Sequence, residues 1–151
     1  MDDTFINPKI EDDTTGLECT QCIKDVFIGG TFEGDSTGII FDKYSGQNEI
    51  NGVDMEDNAI VACLENGGID IYINTSCGNL LHITSTAYLT QVSGGSYGQI
   101  TIDSGAKHTD IHDLTFDNNG GQTLTDKGTR TILHNNLDAD GLVPFPETTL
   151  P

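Results

Sequence analysis

Apolar residues along this chain recur in pairs set five positions apart. Phe5 pairs with Ile10, Phe27 with Phe32, Ile50 with Met55, Ile83 with Tyr88, Ile111 with Phe116 and Ile132 with Leu137. The pairs begin 22, 23, 33, 28 and 21 residues apart. A small residue followed by an aliphatic trails most of them: Gly16-Leu17, Gly38-Ile39 and Ala59-Ile60, with Gln99-Ile100 and Thr123-Leu124 in a similar place later. Self-similarity at such a period marks a unit that cannot bury its apolar face alone and stacks on copies of itself. The apolar runs are short and β-branched, as in Val26-Phe27-Ile28, Ile69-Asp70-Ile71-Tyr72-Ile73 and Ile100-Thr101-Ile102. Their period of two puts one face in and one face out. Gly29-Gly30, Gly67-Gly68, Gly94-Gly95 and Asn118-Asn119-Gly120-Gly121 are turn material between them.

The pattern predicts an all-β chain: a short right-handed, single-stranded parallel β-helix of about six coils of roughly 22 residues each. Residues 1–141 form the helix and 142–151 an extended, Pro-rich C-terminal tail. The 33-residue step is too long for one coil and reads as a coil with an inserted excursion or added strand. A β-sandwich or jelly roll also has short strands and Gly-rich turns. It has no reason to keep the register of the pairs.

Charge narrows the function classes. Six Lys+Arg against 24 Asp+Glu give a net charge of −18. Such a surface repels nucleic acid and anionic membranes alike. The start, Met1-Asp2-Asp3-Thr4, is acidic where a signal peptide needs a basic start and an apolar stretch. No run of apolar residues is long enough to span a bilayer. Synthesis and folding in a cytoplasm are therefore expected, even for a protein that ends outside the cell. In that setting Cys19, Cys22, Cys63 and Cys77 are expected to be buried reduced thiols. Cys19-Thr20-Gln21-Cys22 could be half of a zinc site or a redox pair. Cys63 and Cys77, 14 positions apart, have the wrong spacing for the other half.

Catalytic chemistry is not expected. Carboxylate pairs such as Glu33 and Asp35, Asp54 with Glu56 and Asp57, and Asp113 with Asp117 arise by chance among 24 acids. Tryptophan, the usual sugar platform, is absent. Asp138-Ala139-Asp140-Gly141 starts like a calcium loop but has Thr149 where the loop needs Glu. His82, His108, His112 and His134 read as ordinary polar residues rather than metal ligands. No cofactor is expected.

The segment from Gly98 through Phe116, with Ile100-Thr101-Ile102-Asp103 and Ile111-His112-Asp113-Leu114-Thr115-Phe116, resembles terminal coils of pectate-lyase-like β-helices. Thr125-Asp126-Lys127-Gly128-Thr129-Arg130-Thr131-Ile132-Leu133-His134 continues the pattern. Such coils recur in phage tailspikes and related virion proteins, and the resemblance covers about two-thirds of the chain through degenerate motifs that speak to fold more than function. It implies a homotrimer of prisms packed side by side. The chain departs from tailspikes in beginning on its first apparent coil, without a particle-binding domain, and in being short. The expectation is a non-catalytic capsid decoration or cement protein on the outer surface of a phage particle, made in the host cytoplasm, with capsid or tail proteins as partners. A short tailspike or fibre tip is the alternative, with Tyr44, Tyr72, Tyr88 or Tyr97 contacting host glycans; a polysaccharide hydrolase or lyase is a third. In the tail, three prolines enforce an extended path. Val143, Phe145 and Leu150 are then the candidate anchors to a neighbouring subunit or particle protein.

Overall fold

The computed structural model describes residues 2–55, 57–75, 77–116, 123–137 and 148–149. Val143, Phe145 and Leu150 lie outside the described residues, as do Glu56, Asp117, Asp138 and Asp140. Every strand pairing but the last is parallel, and the coils stack as a β-solenoid.

The described residues form three sheets. The first holds Thr4–Ile6, Val26–Ile28, Glu49–Asn51, Tyr72–Asn74, Gln91–Ser93, Asp110–His112 and Ile132–His134, capped by antiparallel Thr148–Thr149. The second, broader sheet holds Thr15–Cys19, Thr37–Asp42, Val61–Asn66, Cys77–Ile83 and Ser96–Ile102, which pairs with both Thr115–Phe116 and Thr123–Asp126. The third is a pair, Lys9–Glu11 with Thr31–Glu33. A single bridge from Thr31 to Asp54 extends it by one coil.

Register on the first sheet sets the coil length. Thr4 lies against Val26, Val26 against Glu49, Glu49 against Tyr72, Tyr72 against Gln91, Gln91 against Asp110, and Asp110 against Ile132. The steps are therefore 22, 23, 23, 19, 19 and 22 residues. The expected solenoid stands, and the expected excursion does not. Ile73 and Val92 occupy the column that begins Phe5, Phe27, Ile50 and continues to Ile111 and Leu133. Three coils of 23, 19 and 19 residues thus take the place of the expected steps of 33 and 28. Ile83 belongs to the broad sheet, and Ile132 points outward while Leu133 points in. On the broad sheet the core column is Leu17, Ile39, Cys63, Leu81, Ile100 and Leu124. Cys63, not Ile60, fills the third place, and Ile60 is exposed.

Side chains close the ladder where strands end. The Asn48 carbonyl oxygen accepts the Asp25 N–H, and its amide donates to the Cys22 carbonyl. Asn58 does the same with the Asp35 N–H and the Phe32 carbonyl, and Asn136 with the Leu114 N–H and the Ile111 carbonyl. Asp25 and Asp35 accept from the coil below, at Asp3 and Asp13. Each such bond satisfies a backbone group that burial would otherwise leave unpaired. Asp35 is fully buried, which removes it from any accessible carboxylate pair with Glu33.

The cysteines are not free thiols. Cys19 is joined to Cys22 and Cys63 to Cys77. The expected reduced thiols are therefore corrected: a turn within one coil brings Cys19 to Cys22, and stacking of neighbouring strands brings Cys63 to Cys77.

Candidate functional site

The site grows from one corner of the prism, where the chain passes from the broad sheet to the first. One residue per coil bridges there: Ile23 to Gly46, Gly46 to Ile69, Ile69 to Tyr88, Tyr88 to Lys107 and Lys107 to Thr129. The next residue in each coil is left-handed: Lys24, Gln47, Asp70, Leu89, His108 and Arg130, all with φ between 57° and 62°. None is glycine, so each carries a steric cost of about 1 kcal/mol or more. Stacking offsets it, because the turning amides donate to the coil above. Lys24 N–H reaches the Gly46 carbonyl at 3.0 Å, Gln47 the Ile69 carbonyl at 3.0 Å, and Asp70 the Tyr88 carbonyl at 2.8 Å.

This turn breaks the strand alternation and throws the bridging side chains outward. Ile71 and Ile73 are fully buried, yet Ile69, two positions earlier, is 52% exposed. Ile23, Tyr44, Tyr88 and Leu89 are exposed beside it. Together they form an apolar edge spanning four rungs, about 14 Å at the usual strand spacing. Its centre is an open groove of about 450 Å³ lined by Ile23, Tyr44, Ile69 and Leu89 with Lys43 and Asp70. A second hollow continues it at Tyr88, Lys107, His108 and Arg130.

Charge is concentrated on the same edge. Lys24, Lys43, Lys107 and Arg130 are four of the six Lys+Arg in the chain. The Lys43 ammonium sits 4.9 Å from the centre of the Tyr44 ring, and His108 meets Tyr88 edge-on at 5.2 Å. A different corner is acidic, with Glu11, Asp12, Glu33 and Asp57 around one hollow. Lys9 is held there against Glu11 at 2.9 Å.

The four tyrosines part company. Tyr44 and Tyr88 stand exposed on the edge. Tyr72 is half-buried on the first sheet, its hydroxyl 3.0 Å from the Ser93 hydroxyl. Tyr97 is fully buried and donates its hydroxyl to the Thr75 carbonyl, 2.5 Å away. Burial pushes its phenol well above the usual range. It serves the core and cannot meet a glycan. A tyrosine on an alternating strand looks the same in sequence whichever way it points, so its burial is visible only in the fold.

The histidines make ordinary polar contacts. His82 pairs with Asp103, His112 with Asp113 and His134 with Asp110. The His112 ring holds the Asp113 carboxyl below its usual range. Among the described residues, the single group of three or more close potential metal ligands is Cys19, Cys22 and Asp25. No protein-family model, curated protein or solved structure matches the chain.

Proposed function

We propose that this chain is a non-catalytic structural protein of a phage exterior, a homotrimer that decorates or cements the capsid through the apolar, cation-rimmed edge. The observation that carries the reading is that edge itself. An apolar centre ringed by charge is how protein interfaces are built, and on a chain of net charge −18 the cations here select an acidic partner surface. Two disulfides suit a virion surface, where thiols oxidise. The stack supplies a rigid support, since each rung is tied to the next by backbone bonds.

The test is reconstitution on particles stripped of the protein. Wild type should restore the surface density seen by imaging. The double variant Lys43→Glu and Ile69→Ser, altered at solvent-facing positions, should fold and fail to coat. Equal coating by both would refute the reading. A second reading, a receptor-binding tip for host polysaccharide, is favoured by the exposed rings of Tyr44 and Tyr88 beside Lys43 and Arg130. It requires that Tyr44→Ala and Tyr88→Ala each weaken binding to isolated host polysaccharide.

A further inference from the structure

We propose that Cys19, Cys22 and Asp25 form a binding site for a soft divalent cation, zinc above others, whenever the Cys19–Cys22 disulfide is reduced. The two sulfurs and a carboxylate oxygen of Asp25 lie within 4.8 Å of one another. The CxxC has the look of half a zinc site, and Cys63 and Cys77 cannot complete it because they sit on strands two and three rungs further along the broad sheet. The fold supplies Asp25 in their place, three positions beyond Cys22 and on the same corner of the first coil.

The donors are positioned without help from the sulfur–sulfur bond. The Cys19 carbonyl accepts from the Ser45 hydroxyl. The Cys22 carbonyl accepts from the Gly46 N–H at 2.9 Å and the Asn48 amide at 3.1 Å. Asp25 donates its N–H to Asn48 at 2.9 Å and takes the Glu49 N–H on its carbonyl at 3.0 Å. Opening the disulfide leaves all of these intact. One carboxylate oxygen of Asp25 accepts the Asp3 N–H, and a carboxylate has a second to offer.

Two thiolates, one carboxylate and a water make the four-coordinate tetrahedral set that zinc takes. The sulfurs must separate to about 3.8 Å, the tetrahedral spacing at a Zn–S distance of about 2.3 Å. Rotation of the half-buried Cys22 side chain provides it. Three ligand charges inside a strongly anionic protein draw a cation. The site is also gated by redox state. A small-molecule disulfide takes two electrons from the dithiolate, its own S–S bond breaks to give two thiols with protons from water, the Cys19–Cys22 bond forms, and the cation leaves. This inference stands independently of the proposed function.

The test uses full-length protein, reduced with a phosphine under anaerobic conditions and titrated with Co²⁺. One equivalent per chain should bind with a thiolate-to-cobalt charge-transfer band and be displaced by Zn²⁺; the oxidised protein should show no band. The Cys19→Ser, Cys22→Ser double variant retains Cys63 and Cys77 and should also show none. Asp25→Asn keeps the acceptor for the Asp3 N–H, the role Asn48 fills one coil on, so it should fold and bind Co²⁺ roughly ten-fold or more weakly. Absence of the band in wild type, its persistence in the double variant, or unaltered affinity in Asp25→Asn would each overturn the assignment.

Discussion

Glu65 offers the sharpest quantitative test of the fold. Its backbone lies between Phe41 and Ile83 in the broad sheet, in a column that runs Cys19, Phe41, Glu65, Ile83 and Ile102 before ending on Asp126. It is fully buried. The Gly68 N–H donates to one of its oxygens, and the other, Oε2, has no hydrogen-bond partner among the described residues. Burial pushes the carboxyl up to about 8, against the opposing pull of the Gly68 and Gly67 amides. The folded protein therefore holds Glu65 protonated at pH 7, whereas the unfolded chain ionises it near 4.5. Below about pH 4.5 both states are protonated and the group costs nothing. As pH rises from there to about 8, only the unfolded state gives up its proton, so stability falls by about 1.4 kcal/mol per pH unit, about 5 kcal/mol in all. Glu65→Gln retains an oxygen for the Gly68 N–H and cannot ionise. Its difference from wild type should start near zero or slightly unfavourable at pH 4.5, because the new amide brings buried donors. It should then climb by about 3 kcal/mol by pH 7 and level off above pH 8. Urea denaturation followed by circular dichroism at pH 5, 6, 7 and 8 measures this directly. The other acids act on both proteins alike and cancel in the difference. A difference that stays flat from pH 5 to 8 would show that Glu65 is ionised and solvated in the fold, and the account of its burial would fail.

Two further perturbations probe what holds the coils in register. Asn58→Ala strips the partner from the Asp35 N–H and from the Phe32 carbonyl, so about 2–3 kcal/mol should be lost in denaturant unfolding; a loss under 0.5 kcal/mol would mean the ladder is not structural. Reducing the Cys63–Cys77 bond, which closes a loop of 14 residues, should cost about 3 kcal/mol through unfolded-chain entropy. The comparison is best made in the Cys19→Ser, Cys22→Ser background, with unchanged midpoints on adding reductant as the contrary result.

Much of the architecture was legible in the chain. The pairs Phe5/Ile10, Phe27/Phe32 and Ile50/Met55 fall on successive coils, because a stack with no other core must repeat its apolar positions. That logic weakens where coils shorten to 19 residues: Ile73 and Val92 keep the column but not the spacing, and Ile83 lies on the broad sheet instead. Turn glycines announced themselves, while the left-handed corner at Lys24, Gln47, Leu89 and Arg130 did not. Its conformation is imposed by hydrogen bonds to the coil above, not by residue type.

That the chain is all-β, repetitive, acidic and stacked could be read from period and composition, because these are local properties that need no partner. Which side chains meet was left to tertiary packing. It turned Ile69 outward and Ile71 inward, sank Tyr97 and Glu65 into the core, paired the cysteines, and gathered four scattered cations on one apolar edge. Apart from the disulfides, those outcomes depend on contacts between residues about 20 positions apart, where a slip of one place reverses the side a residue faces.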